Sequence, residues 1–294
     1  MLSPHNFWPP HNFGAIDEEL ARFETAQFVV VPVPYDSTTT WRGGTRDGAQ
    51  AILDASMNME LYDHELKREI CEAGIHTTLD VEPVLSRPES MAVRVTEVIG
   101  EILFAGKTPI MLGGEHSLTF GAVCAALKCD LKGDLSILQL DAHTDLRHEY
   151  CSTRYGHGCM AYRVSQLPGT RIVQLGLRST SKEEVENVPK NVHQFWCEDL
   201  LADFKSTLEQ VLDTLTDEVY ITFDVDVCDP SWMSATGTPE PGGLSYYQVR
   251  DILKTVCAHK KVIGMDCVEL TGGDPAAAFA VARLLYKAMG YLSQ

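Results

Sequence analysis

Six short, mainly apolar runs rich in branched residues, separated by longer stretches with helical spacing, limit this 294-residue chain more than any other feature. The runs are Phe28–Val33, Thr108–Leu112, Ser136–Leu140, Arg171–Leu175, Val219–Phe223 and Val262–Cys267. Each is short and continuous and lacks the alternation of a half-exposed strand. Each therefore reads as a strand buried on both faces, as in a parallel sheet. Between them, Met91–Phe104, Leu118–Leu127, Leu200–Leu215, Tyr246–Val256 and Ala276–Met289 carry apolar residues at helical spacing. Ser245 stands where it can cap the fourth of these helices. Strands alternating with helices predict an α/β fold with a mainly parallel sheet. No repeat, low-complexity tract or long linker divides the chain, so residues 1–294 read as one domain. Residues 1–26, whose first part is rich in Pro, Asn and aromatics, read as an extended N-terminal arm suited to packing on a neighbouring subunit.

In open α/β sheets, ligands bind beyond the carboxyl ends of the strands, so the residues that follow each run carry the functional argument. Ser136–Leu140 runs into Asp141-Ala142-His143-Thr144-Asp145. Residues two apart on extended chain point the same way, so Asp141, His143 and Asp145 leave the strand on one face. Val219–Phe223 runs into Asp224-Val225-Asp226 with the same spacing, and Thr108–Leu112 into Gly113-Gly114-Glu115-His116-Ser117. A lone His after two glycines is usually structural, and a DxD pair alone is common. Three ionisable groups converging after a buried strand are stronger evidence, because burial of charge is costly. Four carboxylates at one sheet edge repel one another and need cations to sit together.

Four Asp and two His, with no thiolate, suit Mn²⁺, and less specifically Fe²⁺, Co²⁺ or Ni²⁺. Six ligands exceed what one metal takes beside water, so two metals sharing Asp ligands is the natural reading. Two metals about 3.5–4 Å apart can hold a bridging hydroxide at neutral pH.

With these motifs, GGEHS at 113–117, DAHTD at 141–145 and DVDVCDP at 224–230, the chain resembles the ureohydrolase family that includes arginase and agmatinase. The resemblance extends to Pro34–Ile52, to GTPEPGGLS at 237–245 and to GMDCVEL at 264–270, and runs in order from about Phe28 to the C-terminus. GTPEPGG leans toward agmatinase. The resemblance implies a three-layer α/β/α, arginase-like fold with two Mn²⁺ per chain. One metal would take His116, Asp141, Asp145 and Asp224, the other Asp141, His143, Asp224 and Asp226, with Asp145 also orienting the nucleophile. His157 would pass a proton to the leaving amine, as an imidazole titrating near neutral pH can. Glu269 would grip the guanidinium through paired N–H bonds. The expected reaction cleaves a small cationic guanidino substrate, agmatine, to putrescine and urea. The alternative substrates on the same site are guanidinobutyrate, arginine and formimidoylglutamate. A homotrimer or homohexamer is the implied assembly.

The remaining sequence narrows the alternatives. A net charge of -17 argues against nucleic acid. The nine cysteines include no CxxC pair, so neither a zinc knuckle nor a small disulfide scaffold is expected. Met1 to Asp17 lacks the basic and apolar regions of a signal peptide, and no run approaches the roughly 18 apolar residues of a membrane span. A soluble, cytoplasmic protein is the expectation. No GxGxxG or GxxxxGK[ST] follows a strand, which sets a nucleotide-binding protein aside. A catalytically silent relative would have lost ligands that are all present. Two residues depart from the family pattern: Glu115 where many members have Asp, and His148 where agmatinases often have Asp. His148 puts the contacts to the substrate tail in question, and Arg147, Arg154 and Arg163 nearby are left without an orientation. Cys228 beside the Asp pair reads as a small apolar filler.

Overall fold

The computed structural model describes residues 9–129, 131 and 133–294. In chain order the elements are β1 (Phe28–Pro32), α1 (Gly48–Ser56), β2 (Tyr62–Asp63), β3 (Arg68–Glu69), β4 (Ile75–Thr77), α2 (Pro88–Phe104) and β5 (Thr108–Leu112). There follow α3 (Leu118–Ala126), β6 (Leu135–Leu140), α4 (Met160–Ser165), β7 (Thr170–Leu177), α5 (Lys182–Glu186), β8 (Val192–Trp196), α6 (Cys197–Ala202) and α7 (Phe204–Thr214). The chain ends with β9 (Glu218–Asp224), α8 (Tyr246–His259), β10 (Lys261–Val268) and α9 (Pro275–Leu292). Eight strands form one sheet in the order β4-β1-β5-β10-β9-β6-β7-β8, and β2 pairs with β3 in a separate hairpin. Every pairing in the large sheet is parallel.

The sheet is the middle of three layers because its strands bury both faces. Along β1, Val30 points into one core with Ile52, Leu253 and Val281, while Val29 and Val31 point into the other with Met91, Val95 and Ala122. Helices α1, α7, α8 and α9 thus cover one face and α2, α3 and α4 the other. Nearly every residue of β1, β5, β6 and β9 is buried, which is why these strands read as continuous apolar runs.

Two expectations change. The helix expected over Leu200–Leu215 is two helices, α6 and α7, broken at Asp203, whose backbone leaves the helical region (φ -145°) and whose side chain accepts from Ser206 N–H to start α7. The extended arm expected over residues 1–26 is, over its later part, folded onto the chain's own core. Phe13 and Ile16 are buried there, and the backbone N–H groups of Phe13 and Gly14 donate to Thr77 and Ser56. The apolar side chains at 13 and 16 supply the burial that an arm reaching elsewhere would forgo. Residues 1–8 of that arm lie outside the described residues. Ser245 caps α8 as expected, in a reciprocal capping box with Gln248.

Candidate active site

The four central strands, β5, β10, β9 and β6, stand side by side. Each ends in one of the motifs, so His116, Glu269, the Asp224–Asp226 pair and the Asp141–Asp145 segment meet at one edge. Gly114 makes this possible. A Cβ there would lie 1.7 Å from the Tyr35 carbonyl oxygen, so only glycine lets the two loops cross this closely. The Gly114 loop is also tied to the end of β10: Glu269 N–H donates to Gly114 O at 2.8 Å and His116 N–H donates to Glu269 Oε1 at 2.7 Å. Asp145 and Glu269 both hold positive φ, 49° and 64°. Keeping a residue with a side chain in that region costs on the order of 1–3 kcal/mol and persists where the surroundings enforce it.

The side chains form two overlapping clusters: His116 with Asp141 and Asp224, and His143 with Asp141 and Asp226. His116 Nδ1 lies 3.2 Å from an oxygen of each of Asp141, Asp145 and Asp224. It is buried and, among the described residues, has no hydrogen-bond partner. Ligand bonds of about 2.1 Å around one cation place neighbouring donors about 3.0–3.4 Å apart. The spacing therefore fits a shared ion, which would also satisfy the orphaned nitrogen. His143 Nδ1 lies 2.8 Å from Asp226 Oδ2 and 3.7 Å from Asp141 Oδ1, so Asp141 reaches both histidines. Backbone N–H groups fix the carboxylates: His143 N to Asp141 (2.6 Å), Ala142 N to Asp226 (3.0 Å) and Asp226 N to Asp224 (2.9 Å).

The protein alone is electrostatically unsettled here. Burial opposes the charged form of both histidines, yet the surrounding carboxylates push His116 well above its ordinary value and His143 up to about 11. Burial, then the charge of Asp226, raises Asp141 to about 7, and burial raises Asp224 well above the carboxylate range. Protons sit where cations would compensate the charge.

Beneath His116, its Nε2 meets Thr222 Oγ1 at 2.9 Å, and Thr222 donates to buried Asp266 at 2.6 Å. Thr119 donates to the other oxygen of Asp266 at 3.0 Å. Above the clusters opens a cavity of about 210 Å³ lined by Asp145, Arg147, Tyr150, His157, Glu184 and Glu269 among others. His157 Nδ1 is 3.5 Å from Glu269 Oε1. Burial lowers the His157 pKa, but the bond to Glu269, its charge and those of Asp145 and Glu115 outweigh it and raise the ring to about 9. Glu115 is not part of either cluster. It accepts from Ser37 N, Thr38 N, Thr38 Oγ1 and Ser117 Oγ at 2.5–2.7 Å, and Thr38 Oγ1 in turn accepts from His157 N at 3.0 Å.

All eight residues singled out in the sequence come together in this one place. His148 does not join them: its ring packs edge-on against Tyr162, 5.3 Å between centroids, and it is absent from the cavity lining. Arg154 pairs with Glu149, and Arg163 lies over Tyr162. Arg147 does face the cavity, stacked 4.4 Å over Tyr150 and 3.7 Å from Glu184. Sequence reasoning missed Thr222, Asp266, Glu184 and Arg178. Arg178 donates to the carbonyls of Asp226, Val227, Cys228 and Glu240, tying the second Asp motif to the loop at 237–243. A polar residue inside an apolar run was the available signal for Thr222 and Asp266. Arg178 carried none.

The sequence pattern of the arginase family matches residues 26–290. The chain is 38% identical over 280 residues to the N(1)-aminopropylagmatine ureohydrolase of Thermus thermophilus, covering 93% of this chain and 92% of the relative. It is 32% identical over 286 residues to the agmatinase of Pyrococcus horikoshii, covering 95% and 98%. The crystal structure of agmatine ureohydrolase of Thermoplasma volcanium superimposes with a TM-score of 0.87 at 30% identity, covering 98% of this chain and 96% of that one.

Proposed function

The chain belongs to the arginase family, and on that premise we propose that it hydrolyses the guanidino group of agmatine to putrescine and urea, using two Mn²⁺ per chain. The observation that carries the proposal is the facing arrangement of the two His–Asp clusters and the Glu269–His157 pair about one cavity. His116, Asp141, Asp145 and Asp224 would hold one ion and Asp141, His143, Asp224 and Asp226 the other. When bound, two such ions would supply a water-derived nucleophile at neutral pH.

The chain's own residues do the rest. Glu269 is an acceptor for the guanidinium, with Oε1 already fixed by the His116 N–H, so the planar group is oriented with little freedom left. His157, within reach of Glu269 and fixed at its backbone by Thr38, delivers a proton to the departing amine nitrogen. Asp145, on its strained turn, accepts from the attacking water and fixes its direction. His116 presents Nδ1 because Thr222 and Asp266 hold its Nε2–H on the far side, and His143 likewise presents Nδ1 while its Nε2 faces Glu240 at 3.8 Å.

The names of the relatives, agmatinase and N(1)-aminopropylagmatine ureohydrolase, favour an amine tail over a carboxylate. The Arg147 guanidinium lies 4.4 Å over the Tyr150 ring, with its Nε 3.7 Å from Glu184. Of the five acidic side chains that line the cavity, Asp145, Asp224 and Asp226 would hold the ions and Glu269 the guanidinium. N(1)-aminopropylagmatine, which carries the same guanidinobutyl end on a longer polyamine, is a second reading, favoured by the 38% identity to the Thermus enzyme of that name. The test is urea release by the Mn²⁺-loaded protein with agmatine, N(1)-aminopropylagmatine, arginine and guanidinobutyrate in parallel, and formamide release from formimidoylglutamate. Preference for either amine supports the proposal. Preference for a carboxylate-bearing substrate overturns the substrate while leaving the metal centre standing. The same proposal includes a cytoplasmic protein and a homotrimer or homohexamer, which a stable monomer in sedimentation would refute. Among the described residues, no helix is long and apolar enough to cross a membrane.

A further inference from the structure

Glu184 has no part in the reaction above, yet it is a buried carboxylate in the cavity wall. Its Oε1 accepts from Thr144 Oγ1 at 2.8 Å and from Leu146 N at 2.9 Å. Those are the residues immediately before and after Asp145. Its Oε2 accepts from Ser181 N at 3.0 Å and Ser181 Oγ at 2.6 Å, which anchors the carboxylate to the start of α5. The clamped segment is the one whose central residue is held at φ 49°. That turn aims Asp145 Oδ2 back to within 3.2 Å of His116 Nδ1. Two further bonds hold the same segment, Gln174 Nε2 to Thr144 O at 2.6 Å and Tyr162 N to Asp145 O at 3.1 Å. They grip carbonyls and leave the buried Leu146 N–H to Glu184, which shares the Thr144 hydroxyl with Thr180 Oγ1 at 3.1 Å.

We infer that Glu184 is a positioning residue: by gripping the chain on both sides of Asp145, it holds that carboxylate in the left-handed turn that points it at His116 and the ion they would share. This rests on the metal-centre reading above. The arrangement has a direction. Loss of the clamp lets Asp145 relax toward ordinary backbone, which withdraws one ligand from the ion next to His116. The ion next to His143 would keep Asp141, His143, Asp224 and Asp226. A carboxylate that instead contacted the substrate amine across the cavity would act on substrate binding alone.

The experiment is a Mn²⁺ titration of the full chain followed by electron paramagnetic resonance of free Mn²⁺, with steady-state kinetics on agmatine at saturating Mn²⁺. The variants are Glu184→Ala, Glu184→Gln and Thr144→Val. Glu184→Ala is expected to weaken one of the two Mn²⁺ sites by about 10–100-fold, the range typical of lost outer-sphere partners, to lower kcat, and to change KM by less than about twofold. Glu184→Gln keeps an amide oxygen for Thr144 and Leu146 and turns its NH₂ to the Ser181 hydroxyl, so it should restore most of the Mn²⁺ affinity. Thr144→Val removes one of the two bonds by which Glu184 grips the segment, together with the contact to Thr180, without disturbing the shape, and should weaken the same site by less. Should Glu184→Ala not fold, Thr144→Val decides. Wild-type affinity at both Mn²⁺ sites in the deciding variant overturns the inference, as does a raised KM with both sites intact. Failure of the wild-type chain to take up two Mn²⁺ overturns the metal-centre reading itself, and is seen before any variant is made.

Discussion

Replacing Thr222 by valine removes one hydroxyl and keeps the shape of the side chain, so its consequences can be worked from the bonds it makes. The hydroxyl accepts from His116 Nε2 at 2.9 Å and donates to Asp266 Oδ1 at 2.6 Å, and all three residues are buried. Valine leaves the His116 N–H without its acceptor and takes from one Asp266 oxygen its 2.6 Å donor, while Thr119 still serves the other oxygen and the Tyr220 hydroxyl still faces the carboxylate. Each buried polar atom stranded in this way costs about 1–3 kcal/mol. The chain should therefore lose about 2–6 kcal/mol of stability, a large share of the 5–15 kcal/mol typical of a folded protein. Mn²⁺ affinity should fall by about 10–100-fold, because Nε2–H no longer has an acceptor to fix the ring and raise the basicity of Nδ1. Denaturant unfolding of the metal-free chain measures the first quantity and Mn²⁺ titration the second. Thr222→Ser, which keeps the hydroxyl and loses a methyl group, separates the bond from packing and should retain most of the Mn²⁺ affinity. If valine leaves both unchanged, or if serine and valine weaken Mn²⁺ binding equally, the tautomer argument for His116 is wrong.

Three further outcomes are expected. Asp226→Ala, which loses the carboxylate facing His143 Nδ1, should lower bound Mn²⁺ and urea release together; full activity in a metal-depleted variant of this kind would refute the two-metal reading. His157→Asn should lower kcat by about 10²–10⁴-fold, the usual contribution of a general acid, with Mn²⁺ content unchanged by elemental analysis. In the metal-free chain His157 titrates at about 9 against an ordinary 6.5, so its stabilising effect is complete below pH 6.5 and is lost as pH rises through 9. The thermal midpoint of metal-free wild type should fall more steeply across that window than that of metal-free His157→Asn, and parallel slopes would contradict the raised value.

The site was legible because its chemistry is local. His116 stands four residues after β5, Asp141 directly after β6, and Asp224 is the last residue of β9, so the strand and its functional ending could be read together. Edge strands β4 and β8 were not legible. The first is three residues long, and the second, VHQFW, places His193 and Gln194 where an apolar run was sought. Glu184 illustrates a different limit. Ser181-x-x-Glu184 has the form of a capping box and is one, with both reciprocal bonds present. Its second pair of bonds, to Thr144 and Leu146, joins segments about forty residues apart, and nothing near residue 184 announces them. Arg147, Arg154 and Arg163 lie within seventeen positions of one another, yet only their tertiary partners separate the cavity residue from the two that pack elsewhere.

The same physics that makes the centre conspicuous in the sequence makes it costly to the fold. Asp141, raised from 3.8 to about 7 by burial and by Asp226, binds a proton in the folded chain that the unfolded chain has already released. Its contribution to stability is therefore full below pH 3.8 and is lost as pH rises through 7, so near neutrality the metal-free fold carries a carboxylate it would rather neutralise. A cation bound only by the folded state reverses the sign, by RT ln(1 + [M]/Kd), or about 2.7 kcal/mol at a hundred times Kd. Left-handed φ at Asp145 and Glu269 adds to what the fold must hold, and the clamps of Glu184 on one and of Gly114 and His116 on the other are where it is held. On the proposed metal reading, stability in this chain is thus conditional on the ion its residues would share. Its gain on adding Mn²⁺ should be larger at pH 8 than at pH 5, where protons already do part of that work.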